Sequence, residues 1–292
     1  MNRTFGIIVS LVWILSMAAL IQRDVLPFWR AQDPPSQPIP PGEFQVAIHD
    51  EAGNRLGTTW LESMPLSTTT TVHSMTRLDV GAVTRILPMF REMFLDTKLN
   101  YDQDETLYEF SFRLETGSVA ATVEAVRYEQ EYACKAQIGN ISKSMSFSGE
   151  MSKYLGDSLR PFTHLKGLHV GQNWRLRLLD PIALLKSQTL EFTTQLVEVT
   201  EREVIEHLGE RVDCYKIKTH GTVAWADESG RVLRQEVQIP FLGKWILTDE
   251  PYDEKDRARA WQRMGSLRDG RLSRQSKRSP NVSDIDRHGR DS

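Results

Sequence analysis

The chain has 292 residues, a formal net charge of −3, 26% charged residues and two cysteines. That balance excludes wholesale disorder, a disulfide-built scaffold and a zinc site made mainly of thiolates. It also excludes a nucleic-acid binder that rests on basic excess in its folded part, so no nucleic-acid partner is expected.

In chain order, the first feature is residues 5–21, from Phe5 to Ile21, which carry no charge. At about 1.5 Å rise per residue, a helix of this length crosses most of a ~30 Å hydrocarbon layer. The run is apolar on every face, unlike a helix buried on one side of a soluble domain. It reads as a retained single-pass anchor, which makes the membrane the first expected partner. A cleaved signal peptide is the competing reading, with Arg3 as its basic start and Ser16-Met17-Ala18 as a small-x-small match. Retention is favoured because the apolar stretch is long for a signal. Val25-Leu26-Pro27-Phe28-Trp29-Arg30 also follows it as an aromatic and basic collar. Either outcome carries the rest of the chain across the membrane. The expected location is therefore the inner (cytoplasmic) membrane, with the main domain periplasmic.

Residues 1–30 form this anchor and collar, and residues 31–43 a linker. Pro34, Pro35, Pro38, Pro40 and Pro41 cannot sustain a helix or a central strand. They favour extended polyproline geometry and a semi-rigid stalk.

From residue 44 to 250 the dominant signal is period two, the mark of half-buried strands. Phe44 to His49 alternates, Glu51 to Asn54 turns the chain, and Leu56 to Glu62 continues as a hairpin. Residues 67–78 are β-branched and poor for a helix. Residues 81–95 place Val83, Leu87, Phe90 and Phe94 at helical spacing and predict one short helix, although Pro88 falls inside it. Strands follow at 107–114, 119–128, 129–138 and 141–147. After a break over 149–162 they resume at 171–178, 189–200, 203–208, 212–223, 232–239 and 245–247. Many consecutive strands without βαβ alternation predict a mainly β fold. It is a large curved antiparallel sheet, a half-barrel, with one short helix and a single N-terminal transmembrane helix before it. Residues 251–292 turn charged. A short amphipathic helix is expected over 256–264 and disorder after Gly270, giving a charged, largely disordered tail.

The chemistry-bearing residues are sparse. His164 and His169 are the one close histidine pair, and their spacing is not that of a helical zinc motif. There is no Gly-x-Ser-x-Gly elbow and no glycine-rich phosphate loop. Cys134 and Cys214 sit in alternating strands and read as structural, either bridged or as buried thiols. No catalytic residue, metal site or cofactor is expected, and the chain is not read as an enzyme. The aromatic residues Trp60, Phe110, Phe112, Trp174 and Trp225 are the candidate ligand-binding set, against the plainer alternative that they are core.

Three segments carry a family resemblance: Val170-Gly171-Gln172-Asn173-Trp174, then Gly209 to Ile217 with Val212, Cys214 and Tyr215, then Trp225 to Leu233 with Asp227, Glu228 and Gly230. Their order resembles the lipoprotein-carrier-like β folds of bacterial envelopes, including the periplasmic family DUF3108, mainly over residues 165–250. The resemblance implies a half-barrel with a concave apolar face that holds lipid or docks on envelope machinery. It brings no catalytic residues, and this chain departs from it by its proline stalk and charged tail. The expected function is an extracytoplasmic binding module for a lipid-like apolar ligand or an envelope partner protein. The alternative is a structural or assembly subunit of a membrane complex, with an enzyme behind both.

Overall fold

The computed structural model describes residues 40–66, 68–79, 92–104, 106–116, 118–139, 141–148, 155–156, 162, 164–179, 192–239 and 243–278, with Trp13, Ser16 and Met17 near the start. The chain is mainly β. Its first eight strands are β1 (Gly42–Asp50), β2 (Arg55–Pro65), β3 (Thr70–Asp79), β4 (Glu92–Tyr101), β5 (Leu107–Thr116), β6 (Ala120–Tyr128), β7 (Glu131–Ile138) and β8 (Ile141–Ser148). The remaining seven are β9 (Leu155–Gly156), β10 (Asn173–Leu179), β11 (Phe192–His207), β12 (Glu210–Thr219), β13 (Thr222–Ala226), β14 (Val232–Ile239) and β15 (Gly243–Glu250). A C-terminal helix, α1, spans Glu254–Arg278.

All the strands belong to one open sheet, in the order β8-β7-β6-β5-β4-β3-β2-β1-β15-β14-β13-β12-β11-β10-β9. The chain therefore begins in the middle of the sheet. It steps outward by hairpins to β8, passes to the opposite edge, and steps back inward until β15 pairs with β1. Neighbouring strands are antiparallel throughout, except that the two residues of β9 run parallel to β10.

Residues directly opposite in register share a face of the sheet, so the pairing assigns every side chain to one side. Across the outgoing strands, Val46, Thr59, Thr76, Leu95, Leu114 and Ala121 follow one another on a single face. Across the returning strands Ile48 continues through Leu247, Gln235, Ala224, Ile217 and Val199 on that same face. This apolar face carries three buried clusters: around Trp174 and Val197, around Ile48 and Trp245, and around Phe110 and Tyr132. On the opposite face, Trp60, Met75 and Phe94 lie beneath Ala260 and Met264 of α1. That side is called the helix face below.

Helix α1 starts where it does because Asp253 caps it. The Asp253 carboxylate accepts from the backbone N–H of Lys255 at 2.9 Å and of Asp256 at 3.1 Å. The helix is anchored by Arg257 donating to Glu62 at 2.7 Å, Arg263 donating to Glu92 at 2.9 Å, and Trp261 edge-on to His73 with ring centroids 5.7 Å apart. Its apolar stripe is narrow, Ala260, Met264 and Leu267 at helical spacing, which is why the sequence pattern gives only a short helix over 256–264. The structure extends it to Arg278, eight residues beyond the point where disorder is expected.

The helix expected over 81–95 is corrected in part. Glu92–Tyr101 is strand β4, so its last four residues are extended, and residues 80–91 lie outside the described ones. Phe94 is fully buried on the helix face while Met93 and Leu95 pack against the apolar face. Apolar residues covered on both sides lose the alternation that marks a strand, and short runs of them mimic helical spacing. The anchor expected over 5–21 also lies outside the described residues, apart from Trp13, Ser16 and Met17, which are helical. No helix among the described residues is long and apolar enough to cross a membrane.

Both cysteines are free, buried thiols. Cys134 belongs to the apolar-face cluster of Phe110, whereas Cys214 packs with Trp225 and Leu233 on the other side of the sheet. Burial pushes each thiol up to about 11, and near Cys214 Asp227 and Asp213 push the same way.

Candidate functional site

The five aromatic residues expected to line a ligand groove do not converge. Phe110 and Phe112 share the cluster of β5 to β7 on the apolar face, and Trp174 lies on the same face in the returning half. Trp60 and Trp225 point to the helix face, because each is one residue out of step with the apolar positions Thr59 and Ala224. Trp60 is 1% exposed beneath α1, and its indole N–H has no hydrogen-bond partner; its contribution is packing.

Trp174 is covered by the chain itself. The segment 162–168 lies across the apolar face of the returning strands and buries Phe162, Leu165 and Leu168 against Trp174, Val197 and Ile217. Three contacts tie this strap down: the Leu165 N–H donates to the Gly230 carbonyl at 2.8 Å, the Gln235 side-chain amide donates to the Phe162 carbonyl at 2.7 Å, and His164 forms a β-bridge with Arg231. Gly230 sits at φ +90°, and a Cβ there would lie 2.0 Å from the Leu165 carbonyl oxygen, so the strap closes only over glycine. Burial, then the neighbouring Lys166, pushes the His164 imidazole below its ordinary value, while Asp227 pulls weakly the other way.

Trp225 is likewise occupied by its own neighbours. Its indole N–H donates to Glu203 at 3.0 Å, and the Arg234 guanidinium stacks over the ring, 5.3 Å from its centroid. Glu203 is held below the usual carboxylate range, first by Lys216 at 2.8 Å and then by that indole. Lys216 also reaches Glu201 at 3.2 Å, and Arg234 pairs with Glu236 at 2.6 Å. These charges form a ladder across the helix face and leave Trp225 only 8% exposed.

The far end of the outgoing strands is different. Val126, Tyr128 and Ile141 are 38%, 67% and 55% exposed, although each is a large apolar or aromatic side chain. Tyr128, Glu131, Ala133 and Ser146 share the helix face here. Together with Glu129 and Gln130 they line a shallow depression of about 620 Å³. Glu129 occupies the left-handed region at φ 55°, in the two-residue turn between β6 and β7, with its carbonyl accepting from Arg127 at 2.9 Å. On this face Lys135 lies opposite Glu124; at the hairpin tip Glu129 and Glu131 stand with Arg127, whose guanidinium is held by the Glu129 carbonyl.

Beside the depression runs the sheet edge. Among the described residues β8 pairs only with β7, and residues 141–144 are exposed. Ile138 and Ile141 close a two-residue loop, so they are a mutually hydrogen-bonded pair. By alternation Ser142, Ser144 and Ser146 aim their backbone N–H and C=O groups away from β7, as a template for another strand. The sequence pattern marked these strands but ran 119–128 straight into 129–138. The signal available was the turn itself, Tyr128-Glu129-Gln130-Glu131, polar and charged with an aromatic at its start.

What this end can do chemically is bind, through main-chain hydrogen bonds at the edge and an acidic, aromatic-rimmed recess on one face. Among the described residues no group of three or more His, Cys, Asp or Glu side chains is placed to hold a metal ion.

No protein-family model matches the chain, and no curated protein matches it at a significant level. A solved structure of a DUF1089 family protein from Pseudomonas aeruginosa is similar, at 17% identity and a TM-score of 0.34, covering 63% of this chain and 90% of that one. At that level it carries neither ligand nor role to this chain. The mainly β fold stands, and the comparisons do not return the DUF3108 family.

Proposed function

We propose that the chain is a membrane-tethered, extracytoplasmic β module that binds a partner protein of the envelope and performs no catalysis. The tether is the uncharged run 5–21, with the stalk 31–43 holding a half-barrel of the lipoprotein-carrier type away from the bilayer. One observation favours a protein over a lipid-like ligand. The apolar face is filled by its own side chains, with Phe162, Leu165, Trp174 and Val197 at 0% exposure, while the edge strand β8 is open. A lipid needs an unfilled apolar groove, whereas a partner strand needs an unpaired edge.

The second reading, an apolar ligand, draws on the three apolar clusters carried by one face across both halves of the sheet. The two separate on native purification from membranes, followed by mass spectrometry of whatever co-purifies. The expected result is a stoichiometric protein without stoichiometric lipid. Lipid bound one-to-one, with no protein, would overturn the reading. Protease protection of residues 44–250 in intact inner-membrane spheroplasts would overturn the extracytoplasmic placement.

A further inference from the structure

We infer that the occupant of the β8 edge is an extended segment of the partner that adds as the next strand and places a cationic side chain in the Glu129–Glu131 recess. This rests on the partner-protein reading above and names its site and chemistry. Four features at this one corner carry it.

The first is the template. Ser142, Ser144 and Ser146 present outward N–H and C=O groups on a strand eight residues long. Strand addition draws its affinity from such main-chain bonds and its specificity from recesses beside alternate residues. The second is small side chains. With serine at each of these outward positions, a new strand meets no bulk on the helix face. The third is the position of the recess. Ser146 lies opposite Ala133, and Glu131 opposite Ser148, so a residue pairing alongside Ser146 or Ser148 projects onto the helix face next to the recess. Glu131 is then one strand further in, about 5 Å beyond β8, within reach of a Lys or Arg side chain but not of a short one.

The fourth is charge. Glu129 and Glu131 are both exposed, and the ring of Tyr128 is 67% exposed beside them. Two carboxylates and an open aromatic face receive a cation and repel an anion. Lys143 and Arg127 pair opposite Ala136 and Tyr132 on the other face of the sheet, and Lys135, on the helix face opposite Glu124 and Ser144, is separated from Glu131 along the strand by Ala133. The backbone at the hairpin tip takes the left-handed conformation at Glu129.

The test uses the full chain in detergent and two labelled probes, acetyl-Thr-Val-Lys-Val-Thr-Val-amide and its counterpart with Glu in place of Lys, read by fluorescence anisotropy. The lysine peptide is expected to bind at least about tenfold more tightly than the glutamate peptide, with the preference shrinking at high salt. Ser144→Pro removes one outward N–H and leaves the β7 ladder intact, and it should abolish binding of both peptides. Glu131→Lys, an exposed change that leaves the strands alone, should reverse the preference. Failure of the parent chain to bind the lysine peptide overturns the inference. So does binding unchanged in Ser144→Pro, or a concentration-dependent dimer that Ser144→Pro dissolves, which would make a second copy the occupant. A co-purifying protein that Ser144→Pro fails to release sinks this inference alone, whereas lipid in place of any protein sinks the reading beneath it.

Discussion

In the returning strands β9 to β15 the apolar face is roofed by the strap 162–168, and the helix face is laced by Lys216, Glu203, Trp225 and Arg234. In the last strands of the outgoing half, β6 to β8, the apolar face buries Phe110, Tyr132 and Cys134 but leaves Ile141 open, Tyr128 and Val126 stand open on the other side, and among the described residues β8 pairs only with β7. The two regions use the same hairpins and the same alternation. What differs is what the chain supplies as cover, and the comparison shows that the uncovered element is an edge and a recess rather than an apolar groove. Burial thus differs most between the strands under the strap and the tip of the β6–β7 hairpin.

The comparison breaks most directly by substitution at matched aromatics. Trp174→Ala should cost about 3–5 kcal/mol of unfolding free energy, because a fully buried indole is removed from beneath Phe162. Tyr128→Ala should stay within about 0.5 kcal/mol, since its ring touches mostly solvent. Urea denaturation measures both, and equal losses would erase the distinction between the regions.

Gly230→Ala comes next. It sets a methyl against the Leu165 carbonyl in a backbone region that L residues avoid, and should cost about 2–3 kcal/mol. Because the strap is the cover, the variant should also expose Trp174 to acrylamide quenching. Loss of stability without added quenching would mean that the strap does not roof the indole.

The thiols give a smaller, pH-dependent effect. With native values near 11 against an ordinary 9.0, both native thiols keep their protons where the unfolded chain loses them. Stability is therefore whole below pH 9 and falls as pH rises through 11. At pH 8 neither cysteine should react with iodoacetamide until the chain unfolds. Rapid labelling of the folded protein would contradict the burial of both.

His164 gives the smallest effect and the opposite slope. Its native value lies below 6.5, so under acid the unfolded state takes up a proton that the strap disfavours, and stability falls as pH drops below 6.5. His164→Gln should flatten that part of the pH–stability curve relative to the parent chain. An unchanged curve would place the acid sensitivity elsewhere.

Much of this arrangement is legible in the residues. Strand β7 alternates cleanly because one of its faces is covered and the other meets water, as Glu131-Tyr132-Ala133-Cys134-Lys135-Ala136 shows. Strand β4 is illegible for the opposite reason: α1 covers Phe94 on one side while Met93 and Leu95 are covered on the other. The sixteen residues of β11 read as two strands because a bulge between Val199 and Glu201 shifts the alternation by one. The candidate aromatic set divides by parity. Tryptophans announce burial but not which side of the sheet they take, and Trp60 and Trp225 take the side opposite Trp174.

Residue-level amide exchange on β8, with and without the lysine peptide, tests the central claim most directly. The account predicts that the N–H groups of Ser142, Ser144 and Ser146 exchange rapidly in the free protein, that those of Lys143 and Met145 are protected by β7, and that the peptide protects the serines as well. Serine amides already protected in the free protein, or unmoved by the peptide, would contradict it.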